Sequence, residues 1–123
     1  MTMRNLQTAP NDQLIATYIE LSQNEDDAML RNDIGRATRL VRQRKEVDDI
    51  LRARGIQARR MLLPLLEHPN AQVRLNAAKH LLAVAPAEAR ATLEDLAAHG
   101  PGQQEGSAGM CLLLFDEGTF KPT

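Results

Sequence analysis

The sequence has few of the residue types on which most binding and catalytic sites depend. Its 123 residues include one Tyr, two Phe, no Trp and a single cysteine, Cys111. One cysteine excludes an internal disulfide and a zinc site built from several cysteines. With so few aromatic side chains, the core must consist of Leu, Ile, Val, Ala and Met, and stacking on unpaired nucleic-acid bases is disfavoured.

Membrane and export signals are also missing. No stretch approaches the roughly 18 consecutive apolar residues of a transmembrane helix. No N-terminal run has the basic and apolar layout of a signal peptide. The net charge of −1 gives no overall attraction to nucleic acid or to anionic membranes. We therefore expect a cytoplasmic protein that does not bind membranes, and the lone thiol fits a reducing compartment.

Helix-favouring residues dominate what is present, and apolar residues recur at helical spacing. The length suits one domain over residues 1–123, with residues 1–9 and 119–123 expected to fray. The pattern predicts an all-α fold, an irregular array of five to six antiparallel helices. These helices are predicted at about 11–32, 34–54, 56–67, 71–84 and 86–99, with a shorter sixth helix ending by Gly118.

Turn and capping residues separate the predicted helices. Asp33 and Asn70 are each placed to cap the helix that follows, and Gly55 to end the helix before it. Pro64 lies inside the predicted third helix, where it must kink that helix or shift its start. The central core is predicted to contain Leu66, Val73, Ala77, Leu81 and Leu93.

Residues 62–86 resemble a HEAT repeat, in which a Leu-rich helix, a short turn and a second helix form a pair. The positions that carry this resemblance are Pro69, Asn70, Val73, Arg74, Ala77, Ala78 and Leu81. Over most of its length, the chain is similar to a family of small bacterial HEAT-like domains of unknown function. That similarity rests on the segments 52–55, 62–66 and 108–110. It implies an α-α superhelix of HEAT-like type, and no activity or cofactor.

Residues suited to catalysis or metal binding do not converge in the sequence. The histidines, His68, His80 and His99, lack the spacing of a metal-binding pair. Cys111 lies in an apolar segment without an electropositive setting, which favours an inert thiol. The acidic run Glu25–Asp27 is typical of a solvated helix face. We expect a protein that is not an enzyme and holds no metal or cofactor.

Charge is distributed unevenly along the chain. Residues 1–33 carry a net charge of −4, residues 36–60 a net charge of +6, and residues 84–123 again −4. The basic band of residues 36–60, most of it in helix two, is the candidate interaction surface, and its residues are Arg36, Arg39, Arg42, Lys45, Arg52 and Arg59. This band either pairs with acids of the same chain or contacts a partner.

Two functions fit these observations. The first is a non-catalytic protein-interaction module that binds another protein or a second copy of itself. The alternative is nucleic-acid binding, in which the basic band of residues 36–60 would follow the phosphates.

Overall fold

Helices account for most of residues 3–123, the part of the chain that a computed structural model describes. Strands are absent from this range, so the predicted all-α fold is confirmed. Its α-helices are α1 Asn11–Leu30, α2 Ile34–Arg54, α3 Ile56–Arg60, α4 Ala71–Leu81, α5 Pro86–His99 and α6 Gly102–Asp116. Two 3-10 helices, Met3–Thr8 and Leu63–Glu67, complete the set.

The helices form two compact units. Unit 1 ends at Met61 and contains α1 to α3, and unit 2, Leu62–Thr123, contains α4 to α6. The assignment of residues 1–123 to a single domain stays a prediction.

An antiparallel hairpin of α1 and α2 forms most of unit 1. The residues that α1 presents to α2 have the alternating spacing of four and three that is typical of helix pairs. They are Leu14, Tyr18, Leu21, Glu25 and Ala28, and all are buried. Asn32, in the left-handed conformation with φ of 55°, turns the chain between the helices, and the Asp33 carboxylate then accepts a hydrogen bond from the Arg36 amide. The predicted cap is therefore confirmed.

Residues 3–9 had been expected to fray, yet they fold against the hairpin. Leu6 is fully buried and Ala9 nearly so. Arg54, in the last turn of α2, donates hydrogen bonds to the backbone oxygen of Gln7 at 3.1 Å and to the side chain of Asn11 at 2.8 Å. A buried Leu contributes about 1.5–3 kcal/mol, which offsets the ordering of this short segment. At the opposite end, also predicted to fray, the Phe120 amide donates to Leu114 O at 3.0 Å and so ties the chain back to α6.

The predicted third helix, 56–67, is wrong as a single element. It is divided into α3 and the 3-10 helix Leu63–Glu67, because Pro64 has no N–H to continue the α-helical pattern. Leu65 N and His68 N instead bond three residues back, to Leu62 O and Leu65 O. With three residues per turn, Leu62 and Leu65 share a buried face. Leu66, predicted for the core, is only partly buried.

Unit 2 packs α4 against both α5 and α6. The other predicted core residues, Val73, Ala77, Leu81 and Leu93, are fully buried. A buried amide ladder links two of the helices: Gln104 of α6 donates to Gln72 of α4 at 2.8 Å, and Gln72 donates to Asn76 at 2.9 Å. The helix pairs are thus held by apolar packing with a directional polar connection inside it.

Local signals place the ends of the helices in unit 2. The Asn70 side chain accepts from the amides of Gln72 and Val73, so the predicted cap of α4 is confirmed. Gly100 separates α5 from α6, and a Cβ there would lie 2.5 Å from Leu96 O. Gly106 and Gly109 lie inside a continuous α6 of 15 residues, so the last helix is not shorter than α5 as the sequence had predicted.

Candidate functional site

The six residues of the predicted basic surface have three different environments. Arg39, Arg42 and Lys45 are exposed on α2. Side chains three apart on a helix are neighbours, so these three bases form one continuous strip. Within the described side chains, none of the three forms an ion pair. They are the part of the band that could attract a partner.

Arg36 and Arg52 are paired inside unit 1. Arg36 lies 2.8 Å from Asp27 of α1, and Arg52 lies 2.9 Å from Asp49 on its own helix. The hydrogen bond from Arg36, with another from Arg31, lowers the pKa of Asp27. These pairs are exposed, and exposed pairs contribute little to stability. Because Arg36 and Arg52 are each paired with a carboxylate, they add less unpaired positive charge to the surface than the sequence predicts.

Arg59 is buried, with 7% of its surface exposed. Burial lowers the pKa of its guanidinium, and the positive charge of nearby Arg52 lowers it further. A buried guanidinium cannot contact a partner's surface. Arg59 is therefore not part of the exposed strip.

A buried ionic cluster in the hairpin was missed by the sequence analysis. We define it as Tyr18 and Glu25 of α1 with Arg44 and Asp48 of α2. Arg44 Nε lies 3.2 Å from Glu25 Oε1, and Arg44 Nη1 lies 3.4 Å from Asp48 Oδ2. Only 13% of the Arg44 side chain is exposed. Glu25, assigned above to a solvated face, is thus inside the hairpin.

Tyr18 completes this cluster from the apolar side. Complete burial raises the pKa of its hydroxyl well above the ordinary value, and the Asp48 carboxylate, to which the hydroxyl is hydrogen-bonded, raises it further. Burial alone would lower the pKa of Arg44, but the negative groups around it raise that pKa. No buried side-chain nitrogen or oxygen between residues 6 and 123 lacks a partner. The cluster is satisfied internally and has the character of a structural core.

Apolar side chains are exposed at the tip of the hairpin. Leu30, the last residue of α1, is 80% exposed, and Ile34, the first residue of α2, is 71% exposed. No residue of α2 before Arg44 is buried. We call the segment formed by residues 26–45 the hairpin tip. It presents aliphatic side chains at its turn, and the strip of Arg39, Arg42 and Lys45 farther along α2.

Metal-binding and nucleophilic groups do not assemble in the described residues. No three His, Cys, Asp or Glu side chains in that range are grouped as metal ligands. His80 is buried in α4 and Cys111 in α6. Burial raises the pKa of the Cys111 thiol, which disfavours the reactive thiolate. Residues 3–123 also contain no helix that is long and apolar enough to cross a membrane.

Comparisons with known proteins agree with this architecture. The crystal structure of the protein RPA1889 from Rhodopseudomonas palustris CGA009 is similar, with a TM-score of 0.92 and 46% sequence identity. The match covers 96% of this chain and 98% of that one. No curated protein matches the chain. A model of a domain of unknown function, DUF2019, matches residues 12–116. The chain therefore belongs to the DUF2019 family.

Proposed function

We propose that the protein is a non-catalytic interaction module whose hairpin tip binds an acidic surface of another protein. The observation that carries this proposal is the exposure of Leu30 and Ile34 at the turn of a hairpin whose second helix also exposes three bases. Helical arrays of the HEAT-like type suit such a role, because their helices present extended surfaces without a catalytic pocket.

The apolar part of the tip favours a protein partner. Burial of an exposed aliphatic side chain contributes about 1.5–3 kcal/mol, so Leu30 and Ile34 together can stabilise a modest interface. Val41 lies seven residues after Ile34, on the same face of α2, and is partly exposed. A phosphate backbone offers no apolar surface to cover these residues.

The charged part of the tip selects the kind of protein. Arg39, Arg42 and Lys45 flank this face and remain free to meet carboxylates. Opposite charges around an apolar centre increase the association rate and exclude unsuitable partners. The partner surface that fits is therefore acidic at its edge and apolar at its centre.

Nucleic-acid binding is the competing function, and the pairing of the basic band weakens it. Of the six predicted bases, Arg36 and Arg52 are paired and Arg59 is buried. Three remaining contacts predict a log–log salt slope of about −2.7 on duplex DNA. Such a slope is small compared with that of proteins making six to ten phosphate contacts, roughly −5 to −9.

A photo-crosslinking residue in place of Ile34, introduced in the native host, tests the proposal. We expect it to capture one protein through an acid-rich segment that mass spectrometry identifies. Capture should be lost when Arg39→Gln, Arg42→Gln and Lys45→Gln are combined. The matched control combines Ala91→Glu, Gln103→Glu and Thr119→Glu, exposed positions of unit 2 that lower the net charge by the same three units.

Three outcomes would overturn the proposal. The first is capture that the triple Gln variant does not diminish. The second is submicromolar, steeply salt-dependent binding of mixed duplex DNA or RNA by the purified protein, lost in that variant. The third is a sedimenting mass that rises with concentration for the natural protein and not for the variant, which would identify a second copy of the chain as the partner.

A further inference from the structure

Large apolar side chains are exposed on α6, on the side opposite its contacts with α4 and α5. Met110 is 55% exposed and Leu113 is 51% exposed. The buried residues of the same helix, Gln104, Ala108 and Cys111, lie on its other side. Side chains three apart on a helix are neighbours, so Met110 and Leu113 form one apolar patch. Contiguous exposed apolar surface marks sites of interaction.

Three glycines lie on the same face of α6 as this patch. Successive residues are about 100° apart around a helix, which places Gly102, Gly106 and Gly109 in one stripe with Met110 and Leu113. A Cβ at any of the three glycines would meet nothing within 4 Å, so contacts within the chain do not require them. They form a flat surface on which the side chains of another helix could pack closely.

The large and small residues of the stripe are arranged symmetrically about the point between Gly109 and Met110. Leu113 follows Met110 by three residues, as Gly106 precedes Gly109 by three. If two copies of α6 pack antiparallel about a two-fold axis at this point, each Leu113 lies over Gly106 of the partner subunit. Each Met110 likewise lies over Gly109 of the partner subunit. A two-fold interface needs a surface that is complementary to itself, and this order of residues provides one.

The two ends of α6 are complementary in charge in the same alignment. Glu117, at the C-terminal end, has no basic partner among the described residues, and the helix dipole disfavours a carboxylate there. The first amides of a helix have no partner within it, and Pro101, at the N-cap of α6, has no side-chain acceptor for them. Gly102 and Glu117 are equally far from the point of symmetry. Antiparallel pairing therefore brings each Glu117 to the N-terminus of the partner's helix.

We propose that this face of α6 binds a second copy of the chain, with the two α6 helices antiparallel about a two-fold axis between Gly109 and Met110. The inference goes beyond the proposed function, because it uses no residue of the hairpin tip. A single pair of helices covers less than the roughly 800 Å² per partner of a standard interface. The dimer is therefore weak, with an expected Kd of about 10–100 μM.

Analytical ultracentrifugation of the full chain tests the pairing. From about 5 to about 500 μM, the average mass should rise from 13.6 kDa toward twice that value and no further. The variant that combines Arg39→Gln, Arg42→Gln and Lys45→Gln should dimerise with the same Kd, which distinguishes this contact from the hairpin tip. A constant mass, a mass above that of a dimer, or loss of the dimer in the triple Gln variant would overturn the α6 contact.

Gly106→Gln separates pairing from folding. A Cβ at this exposed position meets nothing within 4 Å, and Gln favours helix more than Gly does, so the monomer should keep its helical circular dichroism and thermal stability. The new side chain would occupy the place of Leu113 of the partner subunit, and the Kd should rise at least about tenfold. Ala91→Gln, at an exposed position of α5, is the matched control and should leave the Kd unchanged. An unchanged Kd in Gly106→Gln would refute the contact.

Glu117→Lys tests the complementary ends of the helices. The cation lies at the C-terminal end of its own α6, where the helix dipole favours it, but faces the positive end of the partner's helix. Both symmetric contacts are lost at once, so the Kd should rise about tenfold. Glu46→Lys makes the same change of charge at an exposed position of α2 and should have no effect. Equal effects of the two variants would contradict the antiparallel alignment.

Disulfide crosslinking measures the alignment directly, in a background in which Cys111→Ala removes the sole cysteine. Gly106→Cys protein mixed with Leu113→Cys protein should form a mixed disulfide on mild oxidation, because the two positions face each other. Two copies of Gly106→Cys should crosslink far less, since their sites lie about 10 Å apart along the helices, beyond the reach of a disulfide. Preferential crosslinking of Gly106→Cys with itself would refute the alignment. Capture of a different protein, instead of a second copy, by a photo-crosslinking residue at position 113 in the native host would refute the choice of partner.

Discussion

Replacement of Arg44 by Met tests whether the buried ionic cluster holds unit 1 together. The guanidinium lies between the carboxylates of Glu25, at 3.2 Å, and Asp48, at 3.4 Å. These two acids expose only 7% and 8% of their side chains. Met keeps most of the apolar volume and removes the charge. Two buried carboxylates then lose the Arg44 cation, a change that costs about 3–5 kcal/mol.

Urea unfolding monitored by tyrosine fluorescence measures this loss in the right part of the molecule. Tyr18 is the only tyrosine, the chain has no Trp, and Tyr18 is fully buried inside the cluster. The fluorescence signal therefore reports unit 1. The matched control is Arg42→Met, which removes an exposed guanidinium from the same helix and should change stability by no more than about 0.5 kcal/mol.

A second variant separates the loss of charge balance from simple loss of packing. Glu25→Gln and Asp48→Asn, combined with Arg44→Met, remove all three charges, while the amide oxygen introduced at position 48 can still accept from Tyr18. At least half of the lost stability should return, because most of the cost comes from unpaired charge. If Arg44→Met cost less than about 1 kcal/mol, or if the triple variant were no more stable than it, our view of the cluster would be wrong.

Three further predictions concern titration and packing. Burial and Asp48 hold the pKa of Tyr18 above its unfolded value. The stability that depends on the protonated hydroxyl is therefore complete below about pH 10 and is lost as pH rises further. Tyrosinate absorbance should appear only together with the loss of helical circular dichroism. Gly100→Ala should cost about 1–3 kcal/mol in thermal or urea unfolding, because the new Cβ would meet Leu96 O at 2.5 Å. Gly106→Ala, where a Cβ meets nothing within 4 Å, should instead add about 0.5–1 kcal/mol. Leu81→Ala, at a fully buried site, should cost about 2–5 kcal/mol in the same assay, and a neutral effect would contradict its place in the core.

Local chemistry made much of the fold predictable. Asp33, Gly55 and Asn70 act through backbone groups within a few residues, so their effect on helix ends can be recognised without a structure. The third predicted helix was wrong for a related reason. The sequence predicted one α-helix with Leu66 in the core, whereas Pro64 lacks the N–H that would continue it, and in the 3-10 helix that forms, Leu62 and Leu65 share the buried face.

Long-range pairing could not be recognised so directly. Glu25 and Arg44 are 19 residues apart and meet only because the hairpin closes. A signal was nevertheless present. Glu25 continues the spacing of Leu14, Tyr18 and Leu21, as Arg44 precedes Val47 and Leu51 by three and seven residues. Charged residues at core positions of two adjacent helices indicate a buried pair, and the acidic neighbours of Glu25 obscured this pattern.

The opposed charges also determine how the two helices of the hairpin align. An apolar seam repeats every seven residues and would accept a displacement of one repeat with little loss of contact. Such a displacement would bring Glu25 opposite Ala37 or Leu51 and separate it from Arg44, which keeps Asp48 on its own helix. Each shifted alignment would bury uncompensated charge, which is far more costly than a misplaced methyl group. We therefore expect a single helix register, so that the positions of Leu30, Ile34 and the three bases relative to each other are fixed before any partner binds.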